Sequence, residues 1–141
     1  MPDLEDVLET YLRATSAIAT LVSGRIYPQV LPSSPIYPAL TYTRISGPED
    51  KTLAGANGRV VARIQLDCWA VRYAEARALA AAVKAAMNAL EGTSIPDDDS
   101  PPDTLKVGAV TRDNEQDVYE PDTLPRIRRV ILDYLVAHQE T

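Results

Sequence analysis

Apolar residues at the start of the chain recur at helical spacing. They occupy positions i, i+3, i+4, i+7 and i+8 of one segment: Leu4, Val7, Leu8, Tyr11 and Leu12. This spacing predicts an amphipathic helix that begins after Asp3. Apolar residues up to Val22 continue or restart that helix, which ends at Gly24. A second apolar stripe over residues 73–91 predicts another helix, which ends at Gly92.

Alternation of apolar and polar residues predicts strands in the middle of the chain. The clearest strand covers residues 59–71, and its core-facing residues are Val60, Ala62, Ile64, Leu66, Cys68 and Ala70. Residues 39–46 are rich in β-branched and aromatic types, and they predict a strand that pairs with it as an antiparallel hairpin. The turn signals in residues 47–58 make that connection a long, mobile arm. The prolines in residues 25–38 predict an ordered loop or an irregular edge.

The last third of the chain predicts two further strands. One lies near residues 104–112, and the acidic residues 113–123 after it are predicted to be irregular. Residues 125–137 carry apolar side chains on both faces, which is typical of a central strand. The order of elements favours a single α+β domain over residues 1–141, with an antiparallel-rich sheet and two helices packed on one face. The other face is then solvated or buried by a neighbouring subunit.

Composition narrows the classes of function. The chain has 141 residues, of which 45% are hydrophobic and 24% charged, so we expect a folded core. No apolar run approaches the ~20 residues of a membrane helix, and we expect no membrane contact. The formal net charge of -6 disfavours tight DNA binding, although an acidic wall would let DNA slide past. Cys68 is the single cysteine, which indicates an intracellular origin.

Residues that could carry catalysis or bind cofactors do not form a recognisable set. His138 is the single histidine, and its place near the C-terminus predicts a surface position. The acidic run Asp97, Asp98 and Asp99 lacks the glycine and glutamate of a calcium loop, so we interpret it as a solvated turn. Lys51 lacks the preceding glycine of a phosphate loop. We therefore predict no enzymatic activity, no metal and no cofactor.

Two other features admit more than one interpretation. Arg126, Arg128 and Arg129 could bind an acidic neighbour or touch DNA, or they could form ion pairs within the subunit. Trp69 lies on the less apolar face of its strand, where it could anchor an interface or pack under a loop of its own subunit.

A series of short motifs along residues 4–91 resembles a known family. A leading helix is followed by a Gly-Arg-Ile-Tyr-Pro turn at residues 24–28 and a proline-led strand with Tyr42 and Ile45-Ser46. The strand at residues 61–70 has a Gln-x-Asp-x-Trp alternation, and Tyr-Ala-Glu-Ala at residues 73–76 opens the alanine-rich helix. In this order the motifs resemble the tail completion or tail terminator proteins of long-tailed phages, prophages and gene transfer agents.

The resemblance implies a structural role without chemistry. A homo-hexameric ring would sit on the last ring of tail tube protein and present a surface to the head-side connector or stopper protein. DNA would pass transiently and non-specifically through its lumen. The protein would then be made in the bacterial host cytoplasm and lie at the head-proximal end of the tail. The alternatives are a head-side neck protein (stopper or adaptor), a small hydrolase or nucleotide-modifying enzyme, and a cytosolic adaptor whose sheet binds a peptide.

Two hypotheses about residues follow from the implied ring. Interface contacts are assigned to the arm and to the aromatic and basic residues: Pro48, Glu49, Asp50, Lys51, Trp69, Arg126, Arg128 and Arg129. The lumen is assigned to acidic residues of the last third: Asp97, Asp98, Asp99, Glu115, Asp117 and Glu120.

Overall fold

A computed structural model describes residues 4–45, 59–96, 104–121 and 126–139. Helices within these ranges are α1 (Leu4–Ala14), α2 (Ser16–Val22) and α3 (Tyr73–Leu90). Strands within them are β1 (Ile26–Pro28), β2 (Ala39–Ile45), β3 (Arg59–Ala70), β4 (Ser94–Pro96), β5 (Thr104–Glu120) and β6 (Ile127–Gln139). The predicted arm over residues 47–58 lies outside the described residues.

The strands form one six-stranded sheet in the order β1-β2-β3-β6-β5-β4. The β1–β2 pair is parallel, and the other four pairs are antiparallel. The prediction of an α+β fold with an antiparallel-rich sheet is therefore confirmed. The predicted antiparallel pairing of β2 with β3 and the central position of β6 are confirmed as well.

The helices cover one face of the sheet. The core-facing row of β3 lies beneath α3, and the side chains at Ile64, Leu66 and Cys68 are completely buried. Helix α1 packs over β2, where the Tyr42 hydroxyl donates a 3.0 Å hydrogen bond to Glu9 Oε1. Helix α1 also contacts β4 near the opposite edge, so the sheet curls around the helices.

Helix α2 is a third helix where the sequence predicted two. Its first residue follows Thr15, whose extended backbone interrupts the leading helix, and the Ile18 and Val22 side chains are buried. Burial of these side chains explains why the segment restarts as a helix. The predicted end of α3 is confirmed, because Gly92 lies just after it with a positive φ of +75°.

Strand β5 corrects the prediction for residues 113–123. It continues to Glu120, and its second half pairs with β6 from Asn114–Asp133 to Glu120–Ile127, with an irregularity in register at Arg112/Asn114. The acidic residues suggested a loop, but partners remote in sequence neutralise several of them. Strand β4 pairs only with residues 104–106, so no described strand lies on the outer edge of Thr111–Tyr119.

His138 corrects a second prediction. It was expected at the surface, yet only 1% of the residue is exposed. Strand β6 runs to Gln139, and His138 is paired with Val60 of β3 and Val107 of β5. Its position within the sheet, rather than its distance from the chain end, sets its burial.

Truncating a side chain of β3 should destabilise the protein by different amounts on the two faces of the sheet. We expect Leu66→Ala, beneath the helices, to lower the free energy of unfolding by about 2–5 kcal/mol because it leaves a cavity in a closed core. Val61→Ala, at a half-buried position on the opposite face, should cost less. Urea denaturation of both variants measures the difference, and equal losses would contradict this assignment of faces.

Candidate functional site

The sheet face opposite the helices, here called the open face, carries the polar row of β3. Residues Arg63, Gln65 and Trp69 project there and are half-buried, because they alternate with the core-facing residues. The register places Trp69 beside Arg129 of β6 and Ala39 of β2. In a strand pair, residues directly opposite share a face, so these positions form one continuous surface.

Trp69 is held by contacts within its own subunit. Its indole Nε1 donates a 2.9 Å hydrogen bond to Thr41 Oγ1, and the Arg129 guanidinium lies 4.8 Å from the centre of its ring. Arg129 also lies 3.8 Å from Asp67 Oδ2 and 3.7 Å from Glu120 Oε1. Both contacts are made with strand residues of the same subunit, Thr41 of β2 and Arg129 of β6, rather than with a loop. The role of Trp69 as an interface anchor stays a prediction.

Asp67 gives this cluster a buried carboxyl group. It is 7% exposed, and burial raises its pKa, opposed by a hydrogen bond from Gln65 and by the charge of Arg129. Arg129 Nε is buried and has no hydrogen-bond partner within the described part of the chain. Breaking the Arg129–Asp67 contact would leave a buried carboxyl without its cation, so Arg129 is positioned to stabilise the subunit.

The three clustered arginines do not form one patch. Arg128 and Arg129 are successive strand residues and point to opposite faces of β6. On the helix-covered face, the Arg128 guanidinium lies 4.5 Å from the centre of the Tyr119 ring, and its Nη1 donates a 3.2 Å hydrogen bond to the Val71 carbonyl. Arg126 is exposed before β6 begins. These three arginines are close in sequence, but the strand places their side chains on different surfaces of the subunit.

Glu115 and Asp117 project from β5 toward α3 and are paired there. Arg77 Nη1 lies 2.8 Å from Glu115 Oε2 and 3.0 Å from Asp117 Oδ1, and Lys84 Nζ lies 3.2 Å from Glu115 Oε1. The Tyr73 hydroxyl donates a 2.9 Å hydrogen bond to Asp117 Oδ2. These contacts form an α3–β5 ion-pair network. Arg77 chiefly, with help from Lys84, holds the pKa of Glu115 below its usual range.

Sequence reasoning missed this network and the cavity beside it. The available signal was a pair of basic residues seven apart on α3 and acidic residues two apart on β5, both of which recur on one face of their element. Next to the network is a cavity of about 310 Å³, here called the socket, lined by Tyr73, Val118, Tyr119 and Arg128 among others. The predicted residues Pro48, Glu49, Asp50 and Lys51, and Asp97, Asp98 and Asp99, lie outside the described residues.

Groups that could hold a metal ion are not assembled in the described ranges. No three histidine, cysteine or acidic side chains there are arranged to bind a metal ion. Cys68 is fully buried, and burial raises the pKa of its thiol well above the ordinary value. No helix within the same ranges is long and apolar enough to cross a membrane.

Comparison with known proteins identifies the family. The family model of "Tail completion protein gp17" matches residues 7–139, which is nearly the whole chain. The chain belongs to this family. The resemblance inferred from the sequence motifs is thereby confirmed, and the coarse assignment is a structural protein of phage tails.

A solved structure shares the fold of this tail completion family member. It is a chain from the "Virion of native gene transfer agent (GTA) particle", with a TM-score of 0.63 and 18% sequence identity. The match covers 96% of this chain and 93% of the other. No curated protein matches the chain.

The α3–β5 network predicts a pH-dependent contribution to stability. The pKa of Glu115 is lowered from 4.5 in the folded state, so folding favours the carboxylate. Its stabilisation is present above pH 4.5 and is lost as the pH falls through the lower folded-state pKa. We expect Glu115→Gln to lower the free energy of unfolding by up to about 1 kcal/mol at neutral pH, because solvent screens the pair.

Urea denaturation of wild type and Glu115→Gln across the acidic range measures this effect. Their stabilities should converge at the lowest pH. Glu75→Gln is the control, because its carboxylate lies 3.9 Å from an Arg72 that is 83% exposed. A difference for Glu115→Gln that persists unchanged in acid would contradict the ion-pair explanation.

Proposed function

We propose that the protein is a non-enzymatic subunit of a homo-hexameric ring that ends the tail tube and joins it to the head-side connector. The observation that carries this proposal is the tail completion family match over residues 7–139. The likeness of fold to a chain of a gene transfer agent virion supports a place in a particle. In this role the protein lies at the head-proximal end of the tail after synthesis in the host cytoplasm.

The distribution of charge is consistent with a ring built by contacts other than ion pairs. Glu115 and Asp117 already pair with α3, and Arg129 already pairs with Asp67 and Glu120. A head-to-tail ring closes when one surface of a subunit fits an unlike surface of the next at the required rotation. Arg126 remains the exposed member of the proposed basic interface, and the proposed contacts of residues 48–51 lie outside the described ranges.

Imaging of the purified protein tests the proposal. We expect rings in negative-stain electron microscopy, either of the protein alone or at one end of purified tail tubes, and we expect the protein to co-purify with tails that lack heads. Co-purification with DNA-filled heads that lack tails would instead support the head-side stopper or adaptor. A protein that stays monomeric at all concentrations and binds no tails would contradict the ring.

DNA passage through the ring is a further part of the proposal. Asp97, Asp98 and Asp99 are assigned to the lumen, where their charge would repel phosphates and reduce friction. Glu115 and Asp117 contribute less net potential there, because Arg77 and Lys84 neutralise them. Glu120 lies 3.7 Å from Arg129 and is similarly compensated.

Charge reversal at the acidic run tests the lumen assignment. We expect the triple Asp97, Asp98 and Asp99 to lysine variant to slow DNA ejection from assembled particles, because the wall then attracts the phosphates. The matched asparagine triple variant should lie between this variant and wild type. Time-resolved DNA release measures all three, and unchanged kinetics in normally assembled lysine particles would contradict the assignment.

A further inference from the structure

Two exposed charged side chains are exceptions to the pairing of charges within the subunit. Asp6 lies on α1, and Arg126 immediately precedes β6. Among the exposed acidic side chains of the described ranges, the Asp6 carboxylate alone makes neither an ion pair nor a hydrogen bond. The Arg126 guanidinium likewise makes neither contact within these ranges. Each side chain is therefore available to a partner outside its own subunit.

Asp6 lines a cavity between α1 and β2, here called the acidic cavity. The cavity has a volume of about 370 Å³, and Glu5, Gln29 and Tyr42 are among the residues that line it. Glu5 is compensated there by Arg44, whose Nη1 lies 2.9 Å from Glu5 Oε1. The negative charge of Asp6 has no such compensation in the described ranges. Since one liquid water occupies roughly 30 Å³, the cavity has room for a long basic side chain.

Arg126 lies close to two other arginines. They occupy the end of the sheet where β3 finishes and β6 begins, here called the basic end, which carries Arg72, Arg126 and Arg128. Arg72 lies 3.9 Å from Glu75 and its side chain is 83% exposed. Arg128 stacks on Tyr119 and contacts no carboxylate of the described residues. Positive charge exceeds negative charge among these groups, so the basic end attracts an acidic partner.

The basic end and the acidic cavity lie at opposite ends of the strands. Arg44, beside the cavity, is paired with Ile64 of β3, whereas Ala70 of β3 is paired with Arg128 of the basic end. At a rise of about 3.3 Å per residue, the six positions from Ile64 to Ala70 span about 20 Å. Arg126 precedes Arg128 and so lies further from the cavity still. A contact between these two surfaces therefore joins two copies of the chain.

We propose that Arg126 of one copy enters the acidic cavity of the next copy and binds Asp6. This inference rests on the proposed ring and names two unlike surfaces that build it. The ion pairs described above stabilise each subunit, whereas this one is made between subunits. Because every copy carries both surfaces, the contact repeats in one direction until the ring closes. Arginine suits such a contact, since its planar guanidinium can bind one carboxylate through two parallel hydrogen bonds.

Charge reversal at each surface tests the contact. We expect Asp6→Lys and Arg126→Glu each to raise the concentration for half-maximal ring assembly at least about tenfold, because each places like charges opposite one another. The chain that carries both substitutions should assemble close to wild type, because the pair is restored with reversed polarity. Asp6→Asn, a smaller change, should weaken assembly in the same direction. Light scattering and imaging on tails measure assembly, and circular dichroism verifies folding.

Lys106 provides the matched control. It is exposed on β5 and makes no ion pair within the described ranges. Lys106→Glu alone should assemble like wild type. Combined with Asp6→Lys, it gives the same net charge as the full swap, but it should not restore assembly. Equal recovery by Lys106→Glu and by Arg126→Glu would overturn the proposal, because net charge rather than a specific contact would then control assembly.

A zero-length cross-link tests the contact directly. Arg126→Lys keeps the positive charge and introduces an amine, which a carbodiimide couples to a carboxylate in contact with it. We expect mass spectrometry of assembled rings to find this amine joined to Asp6, a product that one subunit cannot form across its own length. Adding Asp6→Asn should remove the product. Coupling of the amine to other carboxylates but not to Asp6 would overturn the proposal.

The outcomes separate this contact from the proposed function. Wild-type rings together with normal assembly of Asp6→Lys and Arg126→Glu would overturn the contact and leave the ring intact. Normal rings of either variant that fail to bind tails would overturn it too, because the substituted residue would then bind the tail tube. Absence of wild-type rings in solution and on tails would contradict the proposed function, and the contact with it.

Discussion

The long antiparallel pairing of β3 with β6 is the constraint on which the rest of the structure depends. It runs from Arg59–Gln139 to Ala70–Arg128 without a break in register. Since the side chains of a strand alternate, this pairing fixes which row lies beneath the helices and which row lies on the open face. If β3 slipped by one residue along β6, Leu66 would move to the open face and Arg63 would move beneath the helices. The packing of the helices on the sheet, the contacts of Trp69 and the α3–β5 network all depend on this register.

Local patterns predicted those parts of the fold that depend on one segment. The alternation at residues 59–71 gave β3, and the apolar stripe gave α3, because both patterns record a buried face. The second half of β5 was predicted wrongly because its acidic residues are compensated by Arg77 and Lys84, which are about 30 to 40 positions away in sequence. His138 was misplaced for a related reason, since its burial comes from Val60 and Val107.

In the candidate site, too, the sequence indicated individual residues but not the contacts that depend on distant segments. The sequence identified Trp69, Arg128 and Arg129 as notable, but it could not show that adjacent arginines serve opposite faces of one strand. It also could not reveal the socket, because Tyr73 and Tyr119 meet only through the packing of α3 on β5. Motifs along the chain were enough for the family resemblance, whereas a surface such as the socket depends on contacts between distant segments.

The outer edge of β5 has a consequence for the protein before it assembles. Beyond the short β4, no described strand pairs with the outer edge of Thr111–Tyr119. The unpaired backbone groups of such an edge can pair with a strand of another molecule and so cause aggregation. Charged side chains and the irregularity near Arg112 oppose such addition. These features disfavour pairing between the edges of two free subunits, and Glu115 and Asp117 contribute both to this protection and to the ion pairs with α3.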